Sequence, residues 1–278
     1  MAQTSENRKP NSQFIGKCIY CHSSTLPLSD EHTVPYGLNG DSVLEQASCR
    51  KCANITSAFE MIVLREILGP ARAAAGAKTR RRKQREEQHP MYVIRNGKEH
   101  EIQAHWQEHW KTIPLPVFEP PAFLDGRNYK GGVEAHRMDF GWVGEGPEEI
   151  AKLHNADDVI FKISKPLRFA TALAKLVAKI AYGYAVAQFG LAGIQQAFVI
   201  PAILGTQDDI GMWVGCDGQR IMGTTFNLWH TRLDVSQGII LGRVKLFAKA
   251  DGTEYQVVVG RISEGTTGLL RSLGYNGV

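Results

Sequence analysis

Four cysteines constrain this chain more than any other feature. Cys18 and Cys21 form one C-x2-C pair, and Cys49 and Cys52 form a second. Each pair delivers two thiolates from one tight turn, and two pairs complete the tetrahedron that zinc prefers. An intracellular setting favours metal binding over disulfides for such a pattern. Residues 22–48 separate the pairs, a spacer long enough to carry a functional loop between the knuckles. The fifth cysteine, Cys216, stands alone in "WVGCDG" and reads as a small buried residue.

The spacer contains "DEHTVPYGLNGD", residues 30–41. Two acids, Asp30 and Glu31, directly precede His32, and Val34-Pro35 follow. An acid and an imidazole thus stand side by side in a loop-forming context. In an extended strand neighbours face opposite sides, so both can serve one site only where the backbone bends. Asp30 reads as a turn or cap acid.

The combined pattern "CIYC…DEHTVPYGLNG…ASCRKCAN" resembles the HNH endonuclease family, in its four-cysteine zinc branch with the ββα-metal fold. The resemblance covers residues 17–68. It implies a structural zinc on Cys18, Cys21, Cys49 and Cys52, with His32 as the general base. It also implies a catalytic Mg²⁺ or Mn²⁺ on Glu31 and Asn54, with Thr56 and Glu60 as alternatives to Asn54. The implied reaction is hydrolysis of DNA phosphodiester bonds, with RNA the lesser expectation. The chain departs from the family pattern at two places. Ser-Val-Leu-Glu occupies 42–45, where the family carries an asparagine, and Ala53 follows the last cysteine. A non-catalytic, zinc-containing nucleic-acid binder is the alternative those departures leave open.

Arg50 and Lys51 sit inside the second knuckle, and "KTRRRKQR" spans 78–85. Arg80, Arg81, Arg82, Lys83 and Arg85 are candidate phosphate contacts, or else a solvated linker. The net charge of +4 is too small to identify a nucleic-acid partner by itself. "HEIQAHWQEHW" sets His105 and His109 four apart, and packing is the simpler reading for them.

The expected fold class is α+β: a small zinc-bound ββα module followed by a larger α+β domain with a buried central helix and antiparallel strands. The expected divisions are a disordered tail at 1–16, the nuclease module at 17–70, a basic connector and hairpin at 71–120, and a recognition or regulatory domain at 121–278. Helical spacing of Ile55, Phe59, Ile62, Val63 and Ile67 predicts a helix from Ala53 to Gly69-Pro70. "MYVIRNGKEHEI" predicts a hairpin turning at Asn96-Gly97. Proline-rich "TIPLPVFEPP" predicts a stiff boundary segment. Residues 167–190 form the longest apolar stretch, with Ser164 as a cap and Gly190 as a stop. Its internal Arg168, Lys175 and Lys179 argue for a core helix and against a membrane span. Strands are expected at "AFVIPAIL" and "IGMWVGC". A further hairpin is expected to pair "GIILGRVKLFAK" with "TEYQVVVGRI" around Asp251-Gly252. With no signal-like segment at 1–13, the expected location is the cytoplasm. The C-terminal region leaves room for a protein or small-molecule partner.

Overall fold

The computed structural model describes residues 12–79, 87–127, 131–133, 135–142, 145–163, 166–222, 228–248 and 252–272. The expected contacts at Arg80, Arg81, Arg82, Lys83 and Arg85, the cap at Ser164 and the turn residue Asp251 lie outside them.

The chain opens with β1 (Ser12–Phe14), β2 (Leu28–His32) and β3 (Val43–Cys49), ordered β1-β3-β2 in one sheet. Residues 12–14 were expected in a disordered tail, but they pair in parallel with Val43–Glu45. Strands β2 and β3 are antiparallel. Helix α1 (Arg50–Met61) starts directly from the end of β3, earlier than the apolar spacing alone suggests. Its buried positions Cys52, Thr56 and Phe59 run on into Val63 and Leu64 of a π-helical segment, Ile62–Ile67. Gly69-Pro70, expected to stop the helix, instead opens α2 (Gly69–Ala74), because proline is tolerated in a first turn.

A hairpin of β4 (Gln88–Arg95) and β5 (Lys98–His105) follows, turning at Asn96 (φ 52°) and Gly97 (φ 70°) as expected. Every residue of β6 (Thr112–Phe118) is buried, and the strand pairs with β7 (Ala135–Trp142), with α3 (Ala122–Asp125) between them. Then come α4 (Pro147–Leu153) and β8 (Asp158–Ile160), which extends the β5-β4 sheet.

Helix α5 (Pro166–Phe189) is the post around which the rest is arranged. It ends at Gly190 in the left-handed conformation, φ 68°. Among the described residues it is the one helix long and apolar enough to cross a membrane, and most of it is buried inside the protein. Beyond it, β9 (Ile194–Ala197), α6 (Ile200–Leu204) and α7 (Ile210–Trp213) lead into β10 (Val214–Ile221), β11 (Trp229–Ser236), β12 (Ile239–Leu246) and β13 (Gly252–Ile262). Helix α8 (Glu264–Ser272) closes the described chain. The strands order as β10-β13-β12-β11, with β9 also on β13. The expected β12–β13 hairpin is therefore present. Two expected strands change type. Most of "AFVIPAIL" is α6, whose first turn carries Pro201, and the first half of "IGMWVGC" is α7.

One face of α5 packs on β11, β12 and β13, and the other meets α1 and the π-helical segment. The largest buried apolar group runs from Cys18 to Ile262 and takes in Ile113, Leu115, Val117 and Phe118. The core is thus continuous through the segment expected to be a boundary. A smaller group, including Met91, Val93, Ile150 and Val159, lies beneath the β5-β4-β8 sheet.

Gly183 shows how close the approach of α5 is. A Cβ there would stand 3.2 Å from the Thr33 Cα, so the helix lies against the backbone that follows β2. Tyr182 adds a hydrogen bond from its hydroxyl to the Ile19 carbonyl, 2.5 Å long and buried.

Candidate functional site

The cysteine cluster is assembled by two turns and a strand end. Cys18 and Cys21 lie on a loop where the His22 N–H donates to the Cys18 carbonyl (2.9 Å) and the Cys18 N–H to the Ser23 carbonyl (2.8 Å). The Ile19 N–H donates to Ala47, which ties this knuckle to β3. Cys49 is the N-cap of α1 and Cys52 is in its first turn, where the helix dipole favours thiolate. The four Sγ atoms lie within 4.8 Å of one another. A tetrahedral zinc with bonds of about 2.3 Å separates its sulfurs by about 3.8 Å. The donor set therefore fits a metal ion such as zinc. The backbone N–H of Cys52 draws Cys49 down to about 7, while burial raises the thiols of Cys18 and Cys52. A metal must displace those protons, so metal retention is expected to weaken as pH falls, measurable as release to a coloured chelator across a pH series.

Between the knuckles, β2 and β3 form an irregular ladder. Ser29 pairs with Ser48, and the next pair is Glu31 with Leu44. Only Asp30 lies between on β2, against Glu45, Gln46 and Ala47 on β3, which is a bulge. Gln46 adopts φ 50° there, and its N–H donates to Asp30 Oδ1 at 3.2 Å. Asp30, expected to be a turn or cap acid, instead lies within β2 and accepts from the bulged Gln46. The strand reaches His32, and Tyr36–Leu38 then form a single 3₁₀ turn. The "LNG" end of the loop folds back closely: a Cβ at Gly40 would fall 1.9 Å from the Val34 carbonyl oxygen. Gly40→Ala is expected to cost about 1–3 kcal/mol through the forced backbone shift, read as a lower urea midpoint.

Glu31, His32, Tyr36, Thr56, Glu60, Arg65, Arg72, Lys78 and Lys179 are among the residues bordering a cleft of about 750 Å³. The His32 ring is half-buried and meets Tyr36 edge-on, with centroids 5.8 Å apart. Lys78 Nζ stands 5.7 Å from the Tyr36 ring centre. Arg72 is committed to the scaffold, donating to the carbonyls of Gly37 (2.7 Å) and Leu64 (2.6 Å). Arg65 and Lys78 are exposed at the cleft.

Glu31 is buried, 6% exposed, and its partner comes from far along the chain. Lys179 Nζ on α5 lies 2.7 Å from Glu31 Oε1 and 3.0 Å from Glu60 Oε1, and it also donates to the His32 carbonyl. Burial opposes the lysine charge, but the two carboxylates outweigh it and hold the ammonium above its ordinary value. The expected second ligand, Asn54, is exposed on α1 and does not border the cleft, whereas Thr56 and Glu60 do. The Thr56 hydroxyl donates back to the Ala53 carbonyl within the helix. Glu31 and Asn54 are therefore not brought together around a point that a divalent ion could share. Arg50 and Lys51 are exposed at the start of α1, beside the cysteine cluster and off the cleft wall.

His105 and His109 do not share a helix. His105 ends β5, and His109 bonds the carbonyls of Trp110 (2.7 Å) and Pro90 (3.2 Å). Cys216 is buried and exchanges hydrogen bonds with the Phe118 backbone. Lys179 is the site residue that sequence reasoning missed. The signal was a charge midway along a largely apolar helix, which by itself argues only against a membrane span.

No family model, no curated protein and no solved structure matches this chain.

Proposed function

We propose that the protein is a nucleic-acid phosphodiesterase of HNH type, acting on DNA first, with His32 as the general base and a structural zinc on the four cysteines. One observation carries this reading. His32 borders a cleft at the end of an antiparallel strand pair that leads straight into a helix, and a four-cysteine cluster ties together both ends of that unit. In this reading His32 takes the proton from the attacking water as the new phosphorus–oxygen bond forms, the bond from phosphorus to the leaving sugar oxygen breaks, and that oxygen takes a proton from solvent. Arg65 and Lys78, exposed at the cleft, attract the phosphate backbone and counter its charge. Lys78 and Thr79 border the cleft, and the basic run of Arg80, Arg81, Arg82, Lys83 and Arg85 follows them in sequence.

A second reading is favoured by a different observation. Glu31 is paired through Oε1 with Lys179, as it would be in a protein that binds nucleic acid without cutting it. Incubating the zinc-loaded full chain with labelled single- and double-stranded DNA and with RNA separates the two. Cut products support the enzyme; tight binding with every substrate intact supports the binder. In either case, neutralising Arg80, Arg81, Arg82, Lys83 and Arg85 is expected to flatten the salt dependence of binding by about one unit of slope per lost phosphate contact. An unchanged slope would make the run a solvated linker.

A further inference from the structure

Lys179 completes the site from the central helix α5. It lies 147 residues from His32 in the chain and is 1% exposed. An ammonium has three donors, and this one has three acceptors: Glu31 Oε1, Glu60 Oε1 and the His32 carbonyl. Its bonding capacity is therefore filled, and none is left for a ligand in the cleft. Two carboxylates that converge on one buried point would ordinarily read as the start of a divalent-ion site. Here that point holds a positive charge fixed to α5. A divalent ion within bonding distance of the same oxygens would have to face that charge at a few ångströms, where cation–cation repulsion in a dry site is severe.

We propose that Lys179 is the resident cation of the Glu31–Glu60 pair, taking the place of an exchangeable divalent ion and acting as the positioning residue that locks the Glu31-His32 strand end to α5. The carboxylates serve the lysine, and through it the His32 backbone is held at the cleft wall. The region after residue 121 is then an obligatory part of the site. Neighbouring features agree with this arrangement. Gly183, one turn further along α5, lets the helix approach the Thr33 backbone, and Tyr182 grips the Ile19 carbonyl beside the first knuckle. The helix is thus held to the cysteine-bearing unit about one turn beyond Lys179's contact as well as at it.

The inference goes beyond the proposed activity, and its test needs no substrate. Mn²⁺ is titrated into the zinc-loaded full chain and free Mn²⁺ is followed by electron paramagnetic resonance. Wild type and Glu31→Gln are expected to give the same binding curve, because the pair has no room for the ion. Glu60→Gln, at the more exposed partner, is expected to match them. Lys179→Met is expected to gain a Mn²⁺ site that the added Glu31→Gln change removes, and its melting temperature should rise with Mn²⁺ while that of wild type does not. A Mn²⁺ site in wild-type protein that Glu31→Gln abolishes would overturn the proposal. That comparison stands even if Lys179→Met fails to fold. A wild type that cuts no nucleic acid would sink the enzymatic reading and leave this measurement unaffected.

Discussion

Lys179→Met is expected to destabilise the folded protein by about 3–5 kcal/mol, the scale for removing one partner of a buried ion pair. The loss arises because Glu31 stays buried without its counter-charge and the His32 carbonyl loses a donor. Glu60 contributes less, since its side chain keeps 21% exposure and water screens it. Urea unfolding should show a lower midpoint with an unchanged slope. Replacing Glu31 and Glu60 by glutamine in the same chain should restore part of the loss, because the stranded charge is then gone. The pH sign follows from the raised lysine. A cation held above its ordinary value of 10.5 contributes its full stabilisation below that value and loses it only as pH rises through the folded value. The Lys179 contribution should therefore be flat through neutral pH and fall only in strong alkali. A fall on moving from neutral to mildly alkaline pH would contradict the assignment.

The second large effect is at the cysteine cluster. Cys49→Ala is expected to remove the ion and, with it, a binding free energy of about 10–16 kcal/mol by the measure of structural zinc in small fingers, much of which is folding energy. From the sequence, damage confined to residues 17–68 would be expected. The shared core predicts a wider effect. Ile19 and Tyr20 belong to the same buried group as Tyr182 and Val186, and the Ile19 carbonyl accepts the Tyr182 hydroxyl. Loss of the ion should therefore loosen α5 as well, read as faster hydrogen exchange around 179–186. Cys216→Ala is the control. Its thiol bonds the Phe118 backbone, away from the cluster, so metal content should stay at one ion per chain. Purified wild-type protein without zinc would end this account of the cluster.

Local chemistry made part of this readable from residues alone. Paired knuckles, the Asn96-Gly97 turn and the Gly190 stop each depend on a few adjacent residues, and each stands where the sequence places it. What escaped was non-local. The β3 bulge at Gln46 has no turn signature, because the left-handed residue is a glutamine. Proline-rich 112–118 reads as a linker by composition, yet Ile113, Leu115 and Val117 alternate with prolines on a strand that pairs only with β7 among the described strands. Proline is tolerated on such an edge. The Lys179 contact joins segments that no sequence window holds together. The same blindness bears on the divalent-ion expectation: nothing in the sequence shows that Lys179 on α5 meets Oε1 of Glu31.

The most direct test of the central claim is the rate at which His32→Ala cuts DNA beside wild type, both as full-length protein with matched zinc content. The account predicts that wild type cleaves and that His32→Ala is slower by about 10²–10⁴-fold, the usual contribution of a general base, with DNA affinity unchanged. Cleavage by His32→Ala at the wild-type rate would contradict it.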